Sequence, residues 1–174
     1  VWPHENAPAL RARRLLMAQA VATGIDAGQT VRTPAKQTWL HQQLRAKRKG
    51  GRGGGGGTVL CFVRNEAEAL ELHASVRRKF AAAVLAGPHA NEGRLRFLEM
   101  KRLILIVPRD SPFLRVGDLF SLPSVQLVLH HSPPVTSEEH AACTALLNRI
   151  LAGRRAEGGL PPLRVHYLLE VTSC

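Results

Sequence analysis

His130, His131, His140 and Cys143 are the densest group of residues in this chain that could bind a metal or attack a substrate. His140 and Cys143 are three apart and would share one face of a helix. A structural zinc site takes four well-placed ligands, and these spacings match none, so we expect the four residues to pack or to sit at the surface. A thiolate nucleophile needs an exposed, electropositive setting. Cys61 and Cys143 instead lie in apolar stretches and read as small hydrophobes. With Cys174 the cysteines number three and show no CxxC spacing, which excludes a disulfide framework and points to a reducing compartment. Glu138-Glu139 could form an acid/base pair, but adjacent carboxylates are equally what the first turn of a helix favours, and that is the reading adopted. Gly53 to Gly57 are consecutive glycines and invite comparison with a phosphate-binding loop. Such a loop needs GK[ST] after its spaced glycines and a helix to follow; here Thr58-Val59 follow and begin an apolar run. No cofactor and no metal are expected, and no catalytic residue is assigned.

The cations carry more information. The 174 residues have a net charge of +11, which makes a polyanion the first partner to consider, nucleic acid ahead of an anionic membrane surface. Residues 1–57 hold seven Arg and three Lys against Glu5 and Asp26, a net of +8, whereas residues 58–174 hold fourteen basic against eleven acidic residues, a net of +3. Arg45, Lys47, Arg48, Lys49 and Arg52 crowd beside the glycine run, and glycine has the most chain entropy to lose on ordering. RAKRKGGRGGGGG is therefore read as a flexible basic tether suited to phosphate backbones. No run approaches 18 apolar residues, so no membrane-spanning segment is expected.

The elements that would position these groups alternate. Pro8 to Thr23 reads as a helix with Arg11, Arg13 and Arg14 on one side; LRARRLLMAQAVATG is either an ordinary basic helix or part of an organelle-targeting segment. The chain opens at Val1 without a methionine, from which an upstream segment, removed or omitted, is expected. Thr33-Pro34 is expected to start a second helix, with Thr as N-cap, Pro at the first position and a stripe of Trp39, Leu40 and Leu44. TVLCFV (58–63) reads as a strand buried on both faces. Asn65 and Glu68 can then cap a helix carrying Ala69, Leu72, Val76 and Phe80, with Arg77, Arg78 and Lys79 in its last turn. Phe80 to Ala86 fits either more helix or a short strand, and Glu92 to Met100 looks helical. Leu103 to Val107 and Val125 to His130 read as neighbouring parallel strands joined by an irregular loop that crosses the working edge of a sheet. A helix from Ser137 or Glu138 to about Leu151 and a strand over Leu163 to Glu170 complete the pattern. The expectation is an α/β fold with a parallel sheet covered by helices: a basic helical extension over 1–30, a helix and basic tether over 31–57, and the sheet domain over 58–174.

Order and content together resemble the C-terminal RecA-like lobe of a DEAD-box RNA helicase, over roughly residues 31 to 170. TVLCFVRNEAEALELHASVRRK is similar to that family's motif IV, TPAKQTWLHQQL to its K-x-x-x-L-x-x-L helix, and VQLVLHHSPP to its VxxVIxYDxP strand. Pro108, Asp110, Arg115, Gly117 and Asp118 keep the residue types of motif V, but Val116 intrudes and the spacing slips. Motif VI should supply arginines to a nucleotide's phosphates. After His140 its span holds Ala142, Cys143, Ala145, Leu146 and Asn148, and only Arg149 stands near its last arginine. The resemblance implies RNA contacts at Arg64, Asn65, Arg109 and Arg115, weaker than the tether's. No Walker loop is present in these residues, so they should not turn over ATP by themselves. The expectation is a catalytically degenerate, helicase-like scaffold or assembly factor in a large ribonucleoprotein, a mitochondrial ribosome first, otherwise a cytoplasmic or nucleolar particle. Its partners would be ribosomal RNA and ribosomal or assembly proteins. The alternatives are the C-terminal half of an ATP-dependent helicase, and a protein-binding adaptor.

Overall fold

The computed structural model describes residues 29–49, 58–88, 90, 104–111, 125–157 and 163–171, with backbone alone for 29, 48, 49 and 153–157. Six strands form one sheet: β1 (Gln29–Thr33), β2 (Thr58–Val63), β3 (Ala82–Val84), β4 (Ile104–Pro108), β5 (Val125–His130) and β6 (Arg164–Glu170). Three helices accompany them: α1 (Lys36–Lys49), α2 (Glu66–Val76) and α3 (Ser137–Glu157). Every strand pairing is parallel, in the order β1-β6-β5-β2-β4-β3. All strand C-termini therefore meet at one edge, and each helix runs from that edge back to the opposite one.

Alternation along the strands fills two cores. In β2, Leu60 and Phe62 face a layer with Leu146, Leu147, Ile150 and Leu151 of α3. Val59, Cys61 and Val63 face the other way, with Leu40 and Leu44 of α1 and Ala69, Leu72 and Val76 of α2. Both faces of the central strands are covered, which is why β2 and β4 are buried at every position and, Thr58 apart, apolar. Cys61, in the second of these layers, and Cys143 are buried free thiols, and burial pushes the Cys143 thiol up to about 11.

Several expectations are corrected. β4 and β5 are not neighbours, because β2 lies between them and pairs with both; two consecutive buried runs say nothing about what inserts between them. The sheet begins at Gln29, inside the segment read as extension and tether: β1 matches Gln29 to His166 and Thr33 to Glu170. Thr33 ends that strand instead of capping a helix. Its Oγ1 accepts from Ala35 N at 3.2 Å, and α1 starts at Lys36 with Trp39 N donating to Ala35 O. α2 stops at Val76, so Arg78 and Lys79 lie past its Arg77 C-cap. Phe80 to Ala86 resolves in favour of a strand, β3, after which Gly87 turns the chain at φ 73°. α3 runs six residues beyond Leu151. The helices expected at Pro8–Thr23 and Glu92–Met100 lie outside the described residues.

Candidate functional site

At the C-terminal edge the strand ladder continues one residue into the connections. Arg109 N donates to Val63 O, His131 N to Phe62 O and Val171 N to Thr33 O, each at 3.0 Å. These bonds fix the first residues after β4, β5 and β6 where a ligand of such a fold would meet them. Asn65 caps α2 through its Oδ1, which accepts from Glu68 N at 3.0 Å, as the sequence suggested. Asn65 is thus committed to the helix end.

Glu68 is the hub of this edge, a role that sequence reasoning missed beyond its capping. Its Oε2 accepts from Arg64 N at 2.8 Å, and its Oε1 accepts from Ser132 Oγ and lies 3.1 Å from His131 Nδ1. Burial pushes the Glu68 carboxyl up, but the hydrogen bonds from Ser132, Arg64 N and His131 outweigh it and hold the group below its ordinary value. Burial holds His131 below the ordinary histidine value despite Glu68, so near neutral pH its ring is neutral and Nδ1 donates to the carboxylate. Lys36 Nζ donates to His131 O at 2.7 Å, and Arg109 Nη1 donates to Ser132 O. Four elements are tied together by one carboxylate and two cations.

The same arrangement recurs at α3. Thr136 Oγ1 accepts from Glu139 N at 3.2 Å, and Glu139 Oε2 accepts from Val135 N at 2.7 Å and Thr136 N at 3.4 Å. The starts of α2 and α3 therefore carry their own carboxylate where an external anion would otherwise bind. Beneath them Arg109 is 9 % exposed, and His130 and His140 are buried. Their remaining ring and guanidinium nitrogens have no hydrogen-bond partner among the described residues. His130 is stacked between Tyr167, at a 4.7 Å centroid distance, and Phe62 at 5.5 Å; burial lowers it to about 3, with Arg109 and His140 adding to the effect. Among the described residues no group of three or more His, Cys, Asp or Glu could hold a metal.

The expected RNA contacts are split by this geometry. Arg64 is exposed and Asn65 caps α2 at the C-terminal edge. Arg109 is there too, but it faces inward, buried, with Nη1 donating to Ser132 O. Arg45 and Lys47 lie near the end of α1 at the opposite edge, about 20 Å away along a 14-residue helix. Arg48 and Lys49 continue that helix, while Arg52 and Arg115 fall outside the described residues. All seven acidic side chains among the described residues (Glu66, Glu68, Glu71, Asp110, Glu138, Glu139 and Glu170) lie at the C-terminal edge or within the first two helical turns from it. A groove of about 730 Å³ between α1 and α2 connects the edges, from Lys36, Glu68, His131 and Glu170 to Arg78 and Lys79.

No protein-family model and no curated protein sequence matches this chain. Solved structures do. The chain is similar to the Hef helicase domain of Pyrococcus furiosus (TM-score 0.51, 17% identity, 87% of this chain and 27% of that one). It is similar to the E. coli DEAD-box protein SrmB bound to regulator of ribonuclease activity A (0.55, 19%, 82% and 76%). It is also similar to S. cerevisiae Dbp5 bound to RNA and ADP BeF3 (0.55, 13%, 86% and 36%). The chain thus spans about a quarter of the Hef chain and about a third of the Dbp5 chain. The fold is that of a RecA-like helicase lobe, as the motif IV and VxxVIxYDxP resemblances implied.

Proposed function

We propose that this chain is an RNA-binding protein on a helicase-type lobe that has given up phosphoryl-transfer chemistry and serves as a scaffold or assembly factor in a large ribonucleoprotein. The observation that carries the reading is the start of α3. Phosphoryl transfer needs fixed cations on the charge developing at the transferred group. Here the first turn of α3 offers Glu138 and Glu139, Cys143 and Leu146 turn into the core, and no Arg or Lys occurs in the helix before Arg149. A net charge of +11 on a fold similar to that of the DEAD-box protein SrmB and of Dbp5, whose structure carries RNA, supports RNA as the partner. A mitochondrial ribosome or its precursor is the particle we favour, on the Arg-rich, acid-poor residues 10–24, with ribosomal RNA and ribosomal or assembly proteins as neighbours.

The test is gradient sedimentation of the tagged native protein from whole-cell and mitochondrial lysates, with and without ribonuclease, reading ribosomal RNA in the same fractions. Comigration with a ribosomal particle that ribonuclease abolishes is expected. A light peak indifferent to ribonuclease would turn the reading to a protein-binding adaptor. RNA-stimulated ATP turnover by the full-length protein would make the chain the C-terminal half of an active helicase.

A further inference from the structure

The groove between α1 and α2 runs on from the Glu68 hub into residues that the hub does not engage. Both helices turn their apolar side chains to the sheet, Leu40 and Leu44 from α1 and Ala69, Leu72 and Val76 from α2. What they turn toward each other is short or polar. Ala35 and Ala74 leave room, Gln37 Nε2 donates across the gap to Ser75 Oγ, and His41 Nε2 lies 3.4 Å from the same oxygen. Glu68, Glu71, Ser75 and Arg78 follow one another at three- and four-residue spacing, so one face of α2 and of the turn after it forms a wall. Charge changes sign along that wall. Glu68, Glu71 and Glu170 line the end at the strand C-termini together with Lys36, whereas Arg78 and Lys79 line the other end. Lys36 is engaged where it stands, its Nζ bonded to His131 O with Glu68 and Glu170 near it.

A carboxylate in the first turn of a helix and a cation at its end complement the helix dipole, which accounts for Glu68 and for the cations after α2. It does not account for Glu71, past the first turn, for Glu170, which ends a strand, or for three hydrogen-bonding side chains gathered midway. Gln37, His41 and Ser75 hold donors and acceptors together, the two kinds of group that a peptide backbone presents at each residue. The volume of about 730 Å³ lies in the range of ligand-binding clefts, roughly 300–1,000 Å³. Glu71 and Arg78 stand about 10 Å apart along the helix direction, and an extended chain covers that span in about three residues. We propose that this groove takes an extended segment of a partner protein, with a basic side chain at the Glu71 and Glu170 end and an acidic one three residues away at Arg78. RNA fits worse, because a phosphate chain lying along the groove would bring its charge onto three carboxylates. The assignment goes beyond RNA binding and holds whether or not the chain binds RNA.

The experiment is an NMR titration of the isotope-labelled full chain with the blocked peptide Gly-Lys-Ala-Ala-Glu-Gly and its reverse, beside matched peptides carrying two Lys, two Glu or no charge. At up to about 10 mM, the mixed-charge peptide in one direction or the other should shift the amides of Glu71, Ser75 and Arg78 and bind more tightly than all three matched peptides. Arg78→Glu makes both ends of the groove acidic and should move the preference to the two-Lys peptide. Glu71→Lys should narrow the preference over the two-Glu peptide. Each change is expected to be at least about threefold in relative affinity, the effect of one or two exposed ion pairs. Both side chains are exposed, and both variants should match the wild type by circular dichroism. Absence of any shift at these amides, or a ranking of peptides that neither variant alters, overturns the proposal. Shifts of the same amides by an RNA dodecamer, at concentrations where the peptides leave them unmoved, would assign the groove to nucleic acid. Shifts on diluting the free protein would assign it to a second copy of the chain. Either result overturns the proposal as well.

Discussion

His130 makes the fold acid-labile by an amount that can be worked from its surroundings. The ring is fully buried between Phe62 and Tyr167, its protonation falling from 6.5 to about 3 in the folded protein. A histidine held neutral by burial stabilises the fold fully above its unfolded value, and that contribution is lost as pH falls from 6.5 towards 3, because only the unfolded ring takes up the proton. Each unit in that window is worth about 1.4 kcal/mol. Lowering the pH from 7 to 5 should thus cost about 2 kcal/mol from His130 alone, against a total stability of roughly 5–15 kcal/mol for a domain. Glu68 and Glu139, both held below their ordinary values, add a smaller loss at the acid end of this window. His41, His73, His131, His140 and His166 shift in the same direction, so the whole protein loses more than 2 kcal/mol, and a single-residue comparison is required. Urea unfolding at pH 7 and pH 5 provides it, for the wild type and for His130→Phe, which keeps a ring in the stack. The variant should lose about 2 kcal/mol less between the two pH values than the wild type does. Equal losses would refute the account, because they would mean that the native ring protonates as readily as the unfolded one.

Glu68→Ala removes the acceptor for Arg64 N and Ser132 Oγ together and should destabilise by about 2–3 kcal/mol, visible as a lower urea midpoint at unchanged slope; a change under about 0.5 kcal/mol would show the hub to be ornamental. Thr136→Ala strips the α3 cap and should cost about 1 kcal/mol in the same assay, Thr136→Asn restoring most of it. Leu129→Ala opens the layer between β5 and α1–α2 and should cost about 2–5 kcal/mol. Cys61 and Cys143 should resist a thiol reagent at pH 8 until urea unfolds the chain, since burial raises both thiols; prompt reaction of either in a Cys174→Ser background would contradict their placement.

The parts of the fold legible in the sequence were those where local chemistry and burial agree. TVLCFV, ILIVP and VQLVLH are apolar because both faces of a central parallel strand are covered, and Asn65 and Glu68 announce a helix start three residues apart. β1 was not legible, because QTVRT is, among the described residues, an edge strand with β6 as its one partner, and it leaves no apolar run. The order of the strands was hidden for a different reason: the sequence records which runs are buried but not which run separates two others, and so β2's place between β4 and β5 went unseen. At the C-terminal edge, the resemblance implied RNA contacts at Arg64, Asn65 and Arg109. Arg109 follows a strand as expected, yet its inward turn depends on the backbone carbonyl of Ser132, 23 residues away, a partner that no local pattern names. Glu68 was recognised as a cap, but its bond to Ser132 spans 64 residues and is equally invisible to spacing.

The position of β6 has a consequence for how the chain is made. β6 is the last described strand to leave the ribosome, and it lies between β1, the first, and β5. Among the described residues β1 has no other neighbour, so it must wait through the synthesis of more than a hundred residues before its single row of hydrogen bonds can form. Until then β5, β2, β4 and β3 can assemble as a four-strand precursor whose β5 flank is an open template. Arrival of β6 fills that flank and recruits β1 in one step, joining Gln29 to His166 across almost the whole described sequence. The interval before that step is when the nascent protein is most exposed to pairing with another copy of itself.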